Sequence, residues 1–183
     1  MKMKKFTLCV FCGSSNGTDS RFAEEASRLG TLIASRSIDL VYGGGNVGVM
    51  GHCARAALEG RAKVTGIIPK SIHDRVDHVE LTELFIVETM HERKARMHDL
   101  ADAFAVLPGG IGTMEEFFEA FTWLQLGYHD KPIALLNTAG YFDGLIAFLI
   151  HMSGAGFLAP ETLSRLIVEK TPEALLERIA ASL

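Results

Sequence analysis

Nine residues in the second half of the chain combine a glycine-rich turn with the start of a helix. The segment from Pro108 to Glu116 reads P-G-G-I-G-T-M-E-E, and it lies between an apolar run, Ala103 to Leu107, and a long aromatic-rich helix that Thr113 opens. Glycines leave the main chain open to a ligand, and the free N–H groups at a helix start carry partial positive charge. This pattern favours an anion site, most plausibly for phosphate. A capping box between Thr113 and Glu116, which only starts the helix, fits the same letters.

Two further glycine-rich turns each follow an apolar run. Gly13-x-Ser15-x-Gly17 has the spacing of a hydrolase nucleophile elbow, but no acid and histidine can be assigned in the required later order. Its hydroxyl and N–H groups fit hydrogen bonds to a phosphate or a sugar instead. Gly43-x-Gly45-x-x-Gly48 has the spacing of a dinucleotide fingerprint, but the acidic residue expected about 20 positions later is missing. This second turn therefore favours close packing against the sheet or contact with a smaller nucleotide.

The residue types that bind metals lack the spacing of a metal site. Cys9 and Cys12 spell C-x-x-C, but residues three apart on a strand point to opposite faces, and no second pair completes a zinc site. Cys53 is expected in the core. His91-Glu92 would need a histidine at position 95 to form a zinc-protease helix, and Ala95 stands there. The other histidines are expected in loops or at the surface. We predict neither a metal nor a cofactor.

The helix predicted after Thr89 places one cation on an apolar stripe. Met90, Met97 and Leu100 share this stripe, and the 3-4-3 spacing puts Arg93 on it as well. A guanidinium cannot lose its charge, so Arg93 must find an anion or reach solvent. The alternative is that the side chain extends along the edge of the stripe into water.

These residues are positioned by strands that alternate with helices. The strands are continuous apolar runs, which is typical of a parallel sheet covered on both faces. We predict a single doubly wound, Rossmann-like α/β domain over residues 1–183, with a mainly parallel sheet of about seven strands. Ligands of such sheets bind beyond the carboxyl ends of the strands, where all three glycine turns are expected. The predicted strands are 6–12, 38–42, 64–68, 84–87, 103–107, 133–136 and 166–168, and the predicted helices are 19–35, 49–58 ended by Gly60, 90–101, one from about 112, 141–152 and one from 171.

Composition limits the partners. The 183 residues are 48% hydrophobic and carry a formal net charge of −4, so no basic field attracts a nucleic-acid polymer or an anionic membrane. No run approaches the roughly 20 apolar residues of a membrane span. The apolar run near the N-terminus is too short for a signal peptide, and three cysteines argue against a disulfide framework. We expect a cytoplasmic protein.

The helix after Gly112 is apolar over most of its circumference. It reads M-E-E-F-F-E-A-F-T-W-L-Q-L from Met114 to Leu126. Such a helix is covered on two sides, and in a chain of this length a second subunit can provide the second cover. We therefore predict a homodimer formed partly by this helix.

Five motifs together resemble the LOG ("Lonely guy") family of cytokinin riboside 5′-monophosphate phosphoribohydrolases. They are V-F-C-G-S-S at 10–15, V-Y-G-G-G-N-V-G-V-M-G at 41–51, G-I-I-P at 66–69, M-H-E-R-K at 90–94 and P-G-G-I-G-T-M-E-E at 108–116. The likeness runs from residue 6 through at least Asn137. It implies a dimeric Rossmann-like enzyme that cleaves the N-glycosidic bond of an N6-modified AMP, a small-molecule nucleoside 5′-monophosphate, into free base and ribose 5-phosphate.

The resemblance also implies site residues. Arg93 and Glu116 match the catalytic pair, and Glu116 in the first helical turn is expected to be ionised at neutral pH. In the loop after Pro69 the family usually has a glutamate near the adenine ring, where this chain has Arg75, Val76 and Asp77. A general AMP nucleosidase and a non-catalytic carrier of a phosphorylated ligand, such as molybdenum cofactor, are the alternatives. The implied substrate-binding residues are Gly13, Ser14, Gly44, Gly45, Arg93, Lys94, Gly109, Gly110, Ile111, Gly112, Thr113, Met114, Glu115, Glu116 and Thr122.

Overall fold

The computed structural model describes residues 5–75 and 80–183, and in them seven strands form one sheet. Every strand pair is parallel, and the strand order is β4-β3-β2-β1-β5-β6-β7. This confirms the predicted doubly wound α/β fold. The strands are β1 (Thr7–Phe11), β2 (Asp39–Tyr42), β3 (Val64–Pro69), β4 (Glu83–Val87), β5 (Ala103–Val106), β6 (Ile133–Leu136) and β7 (Leu166–Glu169).

Helices connect the strands within the described residues. Two of them, α3 and α7, are short and were not predicted, because four or five residues are too few for a hydrophobic period to show. A 3₁₀ turn (Thr138–Gly140) follows β6. The helices are α1 (Ser20–Ser35), α2 (Gly48–Glu59), α3 (Lys70–His73), α4 (Met90–Leu100), α5 (Ile111–Gln125), α6 (Asp143–Gly154), α7 (Pro160–Ser164) and α8 (Pro172–Ala181).

The strand order creates a switch point between β1 and β5. After β1 the chain adds β2, β3 and β4 on one side, and it then returns to add β5 on the other side of β1. The register pairs Cys9 with Val41 on β2 and with Phe104 on β5. The connections from β1 and β5 therefore leave in opposite directions, and they open a crevice at the carboxyl edge of the sheet.

Successive side chains of β1 point to opposite faces of the sheet, so they pack in two separate parts of the core. Leu8 and Val10 pack in the cluster that includes residues of α1, α2 and α8, whereas Cys9 and Phe11 pack in the cluster that includes residues of α4, α5 and α6. A fully buried aliphatic or aromatic side chain of this kind contributes about 1.5–3 kcal/mol. The continuous apolar strands of the sequence thus reflect burial on both faces.

The contact between α1 and α2 depends on small residues. A methyl group at Gly30 would lie 2.3 Å from the carbonyl oxygen of Cys53, so Gly30→Ala would force the two helices apart. Gly60 is the C-cap residue of α2, as predicted; its φ is −80°, and the positive φ falls on Arg61. Only glycine fits at position 60 without a shift of α1, because an added methyl group would lie 2.4 Å from Cβ of Ala34.

The stripe predicted on α4 is displaced. Met97 is buried as expected, but Met90 and Leu100 are 43% and 40% exposed. The inward face consists of Lys94, Met97 and His98. His98, expected at the surface, lies beside Trp123, and burial lowers its pKa to about 4.

No helix in the described parts of the chain is long and apolar enough to cross a membrane.

Candidate active site

A cavity lies at the switch point, beyond the carboxyl ends of β1, β2 and β5. Its volume is about 520 Å³, which is large enough for a nucleotide. All three glycine-rich turns reach it, as the sequence predicts. Its wall is formed by Cys12, Gly13, Ser14, Gly43, Gly45, Val47, Met50, Ile68, Ile72, Arg93, Gly110, Ile111, Gly112, Thr113 and Glu116.

Main-chain contacts hold the three turns together. The N–H of Gly13 donates to the carbonyl oxygen of Pro108 at 3.1 Å, and the N–H of Met50 donates to the carbonyl oxygen of Gly13 at 3.1 Å. Gly48 has a φ of 62°, and a side chain there would lie 2.3 Å from the carbonyl carbon of Ser14. The spacing Gly43-x-Gly45-x-x-Gly48 thus serves close packing between turns, which is one of the two interpretations favoured by the sequence.

The predicted anion cradle corresponds to the N-terminus of α5. The helix begins at Ile111, so Thr113 lies inside the first turn and does not open it. The N-cap residue is Gly110, no side chain caps the helix, and the first helical bond runs from the N–H of Met114 to the carbonyl of Gly110. The capping-box interpretation is therefore wrong. The N–H groups of the preceding three residues have no helical acceptor and are available to a ligand.

Thr113 has a packing role beneath this turn. It is 4% exposed, and a side chain at Gly109 would lie 2.2 Å from its Oγ1. Gly109 therefore has to be glycine for the turn to close over the helix. Gly110 and Gly112 have no atom near the position of an added Cβ, so their lack of side chains leaves the cradle open to the cavity.

Arg93 reaches the cavity from the first turn of α4 and is anchored by main-chain oxygens. Its Nε donates to Ile67 O at 3.1 Å and its Nη2 donates to Gly43 O at 3.3 Å. A Cβ at position 43 would lie 1.9 Å from that Nη2, so the guanidinium fits only against a glycine. The side chain is 13% exposed. The alternative that Arg93 extends along the edge of the stripe into water is therefore wrong.

Glu116 faces Arg93 across the cavity from the second turn of α5. Glu116 Oε1 lies 3.9 Å from Arg93 Nη2, which is an ion pair without a direct hydrogen bond. Burial raises the pKa of Glu116 from 4.5 to about 7, and the charge of Arg93 only partly opposes this effect. The expectation that Glu116 is ionised at neutral pH is therefore corrected: the Glu116 side chain itself is buried, so both protonation states are populated near pH 7.

Several residues implied by the resemblance lie away from the cavity. Lys94 is 7% exposed and its Nζ contacts carboxylates of Glu115 and Glu119, which joins α4 to α5. Burial alone would lower the pKa of Lys94, but the hydrogen bonds to these carboxylates raise it. Thr122 is exposed near the end of α5. Met114 packs against the core, and Gly44 and Gly109 support the turns without forming the cavity wall.

The sequence analysis did not identify the apolar part of the cavity wall. Val47, Met50, Ile68 and Ile72 form it. Val47 and Met50 flank a glycine turn and could have been inferred from that position, whereas Ile72 lies in the unpredicted helix α3. Burial raises the pKa of the Cys12 thiol well above its usual value, so Cys12 adds a neutral surface. Of the residues compared with the family's adenine loop, Arg75 is exposed, and Val76 and Asp77 lie outside the described residues.

The alternative chemistries of the three turns have no support in this cavity. Neither Ser15 nor any histidine is among the residues that form its wall, so the nucleophile and the base of a hydrolase triad are both missing there. Within residues 5–75 and 80–183, no group of three or more His, Cys, Asp or Glu side chains could hold a metal ion. Cys9, Cys12 and Cys53 are free thiols.

Solved structures share this fold. The molybdenum cofactor binding protein from the phototrophic bacterium Rippkaea orientalis has a TM-score of 0.74 at 23% identity, with 98% of both chains covered. The Moco carrier protein from Chlamydomonas reinhardtii has a TM-score of 0.71 at 20% identity, covering 98% of this chain and 100% of the other. At such identities the likeness shows the fold alone. The fold and the cavity together define a doubly wound α/β protein with a nucleotide-sized cavity at the switch point.

Sequence comparison identifies the family. The profile described as "Possible lysine decarboxylase" matches residues 50–179. Cytokinin riboside 5′-monophosphate phosphoribohydrolase LOG3 of Arabidopsis thaliana is 44% identical over 185 residues, covering 98% of this chain and 84% of the relative. The cytokinin riboside 5′-monophosphate phosphoribohydrolase of Rhodococcoides fascians is 45% identical over 175 residues, covering 94% of this chain and 88% of the relative. The chain belongs to this family, the LOG family, which confirms the resemblance.

Proposed function

We propose that the protein hydrolyses the N-glycosidic bond of adenosine 5′-monophosphates, including N6-modified ones, to free base and ribose 5-phosphate. The relatives named cytokinin riboside 5′-monophosphate phosphoribohydrolases support this reaction class. The observation that carries the proposal is the presence of a buried carboxyl group and an uncapped helix N-terminus in one nucleotide-sized cavity. The carboxyl group can act on the anomeric carbon, and the helix N-terminus can hold the phosphate.

The 5′-phosphate is proposed to bind at the start of α5. The N–H groups of Ile111, Gly112 and Thr113 lack helical acceptors, and the helix dipole adds partial positive charge at the same place. The phosphate is remote from the bond that breaks. Its binding energy still holds the ribose in a reacting geometry, so substrates without it should lose turnover as well as affinity.

Glu116 is proposed to act on the sugar. Cleavage of the bond between C1′ and the purine nitrogen develops positive charge at C1′, and a carboxylate nearby stabilises that charge. Water adds its hydroxyl group to C1′ and supplies a proton that ends on the departing base. With a pKa of about 7, Glu116 can be the carboxylate and can also accept a proton from the attacking water. The base is expected to pack on the apolar wall formed by Val47, Met50, Ile68 and Ile72.

Arg93 is proposed to position this carboxylate. Because main-chain oxygens of Ile67 and Gly43 hold the guanidinium, its place does not depend on Glu116. From there its charge favours the ionised form of Glu116 without a direct hydrogen bond that would occupy the carboxylate. Loss of Arg93 would therefore raise the pKa of Glu116 further and reduce the fraction that is ionised.

The functional unit is proposed to be a homodimer in the cytoplasm. Beyond the cavity, α5 and α6 expose large apolar side chains on the side of the sheet that they cover together; these are Ile111 (87% exposed), Phe118 (36%), Phe148 (55%) and Ile150 (58%). Ile111 also lies at the cavity, so a second copy seated on this surface would cover part of its mouth. The surface is defined by these four residues and is called the α5–α6 face below.

Incubation with AMP and N6-isopentenyl-AMP tests the proposed reaction. Chromatography should show free base and ribose 5-phosphate in equal amounts, and the corresponding ribosides should release little base. Glu116→Gln should remove the product, and Glu59→Gln, which changes an exposed glutamate at the end of α2, should not. Product from AMP as readily as from the modified nucleotide would indicate a general AMP nucleosidase. No product from either nucleotide would contradict hydrolysis and favour a carrier.

A further inference from the structure

A second, smaller cavity lies on the other side of the Gly109–Gly110 segment. Its volume is about 170 Å³, and Tyr141 forms part of its wall together with Ser15, Asn16, Phe22 and the turn at 108–110. The Tyr141 hydroxyl donates a hydrogen bond to the carbonyl oxygen of Gly109. None of the sequence motifs includes Tyr141, and the residue lies 25 positions after Glu116, where the nearest of them ends.

The segment that carries Tyr141 is held firmly. It follows the 3₁₀ turn after β6, in which Ala139 has a φ of 55° and Gly140 a φ of 75°. The Asn137 side chain accepts from Phe142 N at 2.7 Å and donates to Asp143 Oδ1 at 2.7 Å, which bridges the turn. The Tyr141 ring also packs edge-on against Phe22 and Phe142, with ring centroids 5.4 Å and 5.0 Å away. The hydroxyl therefore has a defined place.

The hydrogen bond acts on the peptide group between Gly109 and Gly110. A trans peptide is planar, and its C=O and N–H point in opposite directions. Gly109 belongs to the wall of the small cavity, and Gly110 belongs to the walls of both cavities. Holding the carbonyl towards Tyr141 consequently turns the N–H of Gly110 away from it, towards the large cavity. Glycine on both sides of the peptide would otherwise let it rotate readily.

We propose that Tyr141 is a positioning residue for phosphate binding: its hydroxyl fixes the Gly109–Gly110 peptide so that the N–H of Gly110 joins those of Ile111, Gly112 and Thr113 in the cradle. This inference rests on the proposed function, because it assigns the phosphate to that cradle. The phosphate itself never touches Tyr141.

Tyr141→Phe tests this proposal, because it removes only the hydroxyl and retains the ring contacts with Phe22 and Phe142. Calorimetry with ribose 5-phosphate and with inorganic phosphate should show an affinity about three- to tenfold lower than in the wild type, the size of one lost hydrogen bond. KM for AMP should rise by the same factor, with kcat changed less. Base release from adenosine, which has no phosphate, should keep its wild-type rate.

Tyr128→Phe is the matched control. Tyr128 is 74% exposed and packs on Trp123, and it forms no part of either cavity wall. Unchanged affinity for ribose 5-phosphate in Tyr141→Phe would overturn the proposal, as would an equal loss of turnover with AMP and adenosine. A wild-type protein that binds neither anion would overturn it too. If the wild type releases no base but Tyr141→Phe still weakens anion binding, the proposed reaction fails and this inference stands.

Discussion

At the scale of single residues, the two charged side chains of the cavity are held in different ways. Arg93 is anchored by two main-chain oxygens, so its position is set by the ends of β2 and β3. Glu116 lies 3.9 Å from it, in a buried position that favours the neutral carboxyl. The carboxyl is thus poised between two protonation states by burial on one side and by one cation on the other. This balance suits a group that must stabilise positive charge as it develops on the substrate.

Glu116→Gln is expected to lower kcat for nucleoside monophosphates by about 10²- to 10³-fold. The amide has nearly the same shape but cannot carry negative charge, so the stabilisation of C1′ is lost while the phosphate cradle remains. KM should change by less than a few fold. Steady-state kinetics with base release as the readout checks this, and a kcat close to that of the wild type would leave Glu116 without a catalytic role.

The same variant is expected to show a pH-dependent gain in stability. The Glu116 pKa is 4.5 in an unfolded chain and about 7 in the fold, so the native state retains the proton when the unfolded state has lost it. The wild type therefore loses stability as pH rises from 4.5 to 7 and loses no more above that, a total of about 3 kcal/mol. Glu116→Gln avoids this loss because its amide does not ionise.

Thermal unfolding at a series of pH values measures the difference. The Tm of Glu116→Gln minus that of the wild type should increase by about 5–10 °C between pH 4.5 and 7 and should then level off. Glu59→Gln, on the surface, should show no such trend. A difference that stays constant with pH would mean that the carboxyl titrates near 4.5 in the folded protein.

At the scale of elements, α4 and α5 supply both charged groups of the cavity and are joined by a separate ion pair. Lys94 on α4 is 9% exposed in its side chain and contacts Glu115 and Glu119 on α5. Adjacent residues of α4 thus point in different directions: Arg93 towards the cavity and Lys94 towards α5. The contact of Lys94 with Glu115 and Glu119 fixes the distance between α4 and α5, and with it the distance between Arg93 and Glu116.

Lys94→Met distinguishes a structural role from the substrate contact that the resemblance implies. Removing the ammonium leaves Glu119, whose side chain is 22% exposed, without its cation, at a cost of about 1–3 kcal/mol. Tm should fall by about 3–9 °C, with KM for AMP within about twofold of the wild type. Lys170→Met, at an exposed position after β7, is the control. A large rise in KM without a fall in Tm would instead place Lys94 at the substrate.

At the scale of the whole molecule, the strand order decides where the ligand binds. The turns after β1 and β5 are almost a hundred residues apart in the chain, and they meet because the two strands are neighbours at the switch point. The net charge of −4 provides no long-range attraction for a nucleotide, so binding has to depend on local donors. On the outer side of the same layer, the α5–α6 face is unusually apolar for an exposed surface.

Phe118→Asp is expected to convert the proposed dimer into a monomer. The substitution places a charge on the α5–α6 face, where a partner subunit would have to desolvate it. Analytical ultracentrifugation should show the dimer mass for the wild type and the monomer mass for the variant. Leu183→Asp adds the same charge at an exposed apolar residue after α8, outside this face, and should leave the mass unchanged. A monomeric wild type would contradict the predicted assembly.

Local sequence patterns determined much of the architecture. Continuous apolar runs predicted all seven strands. The five inner strands lack polar alternation because both of their faces are buried, whereas the edge strands β4 and β7 are only partly buried. Asp19, Thr89 and Thr171 each cap a helix that the sequence placed there, since a cap depends on residues within one turn. The short helices α3 and α7 were missed because they contain too few residues for a period.

The properties of the site depended on tertiary structure. The motif P-G-G-I-G-T-M-E-E identified a helix start and an acidic residue, but the pKa of Glu116 follows from burial by segments distant in the chain. Arg93 and Lys94 are adjacent in sequence, and only the packing of α4 against β3 and α5 sends one to the cavity and the other to a salt bridge. Local patterns in the sequence were sufficient for the strands and the long helices. The charge states and the partners of the site residues were set by the tertiary structure, because desolvation and Coulomb interactions depend on neighbours in space.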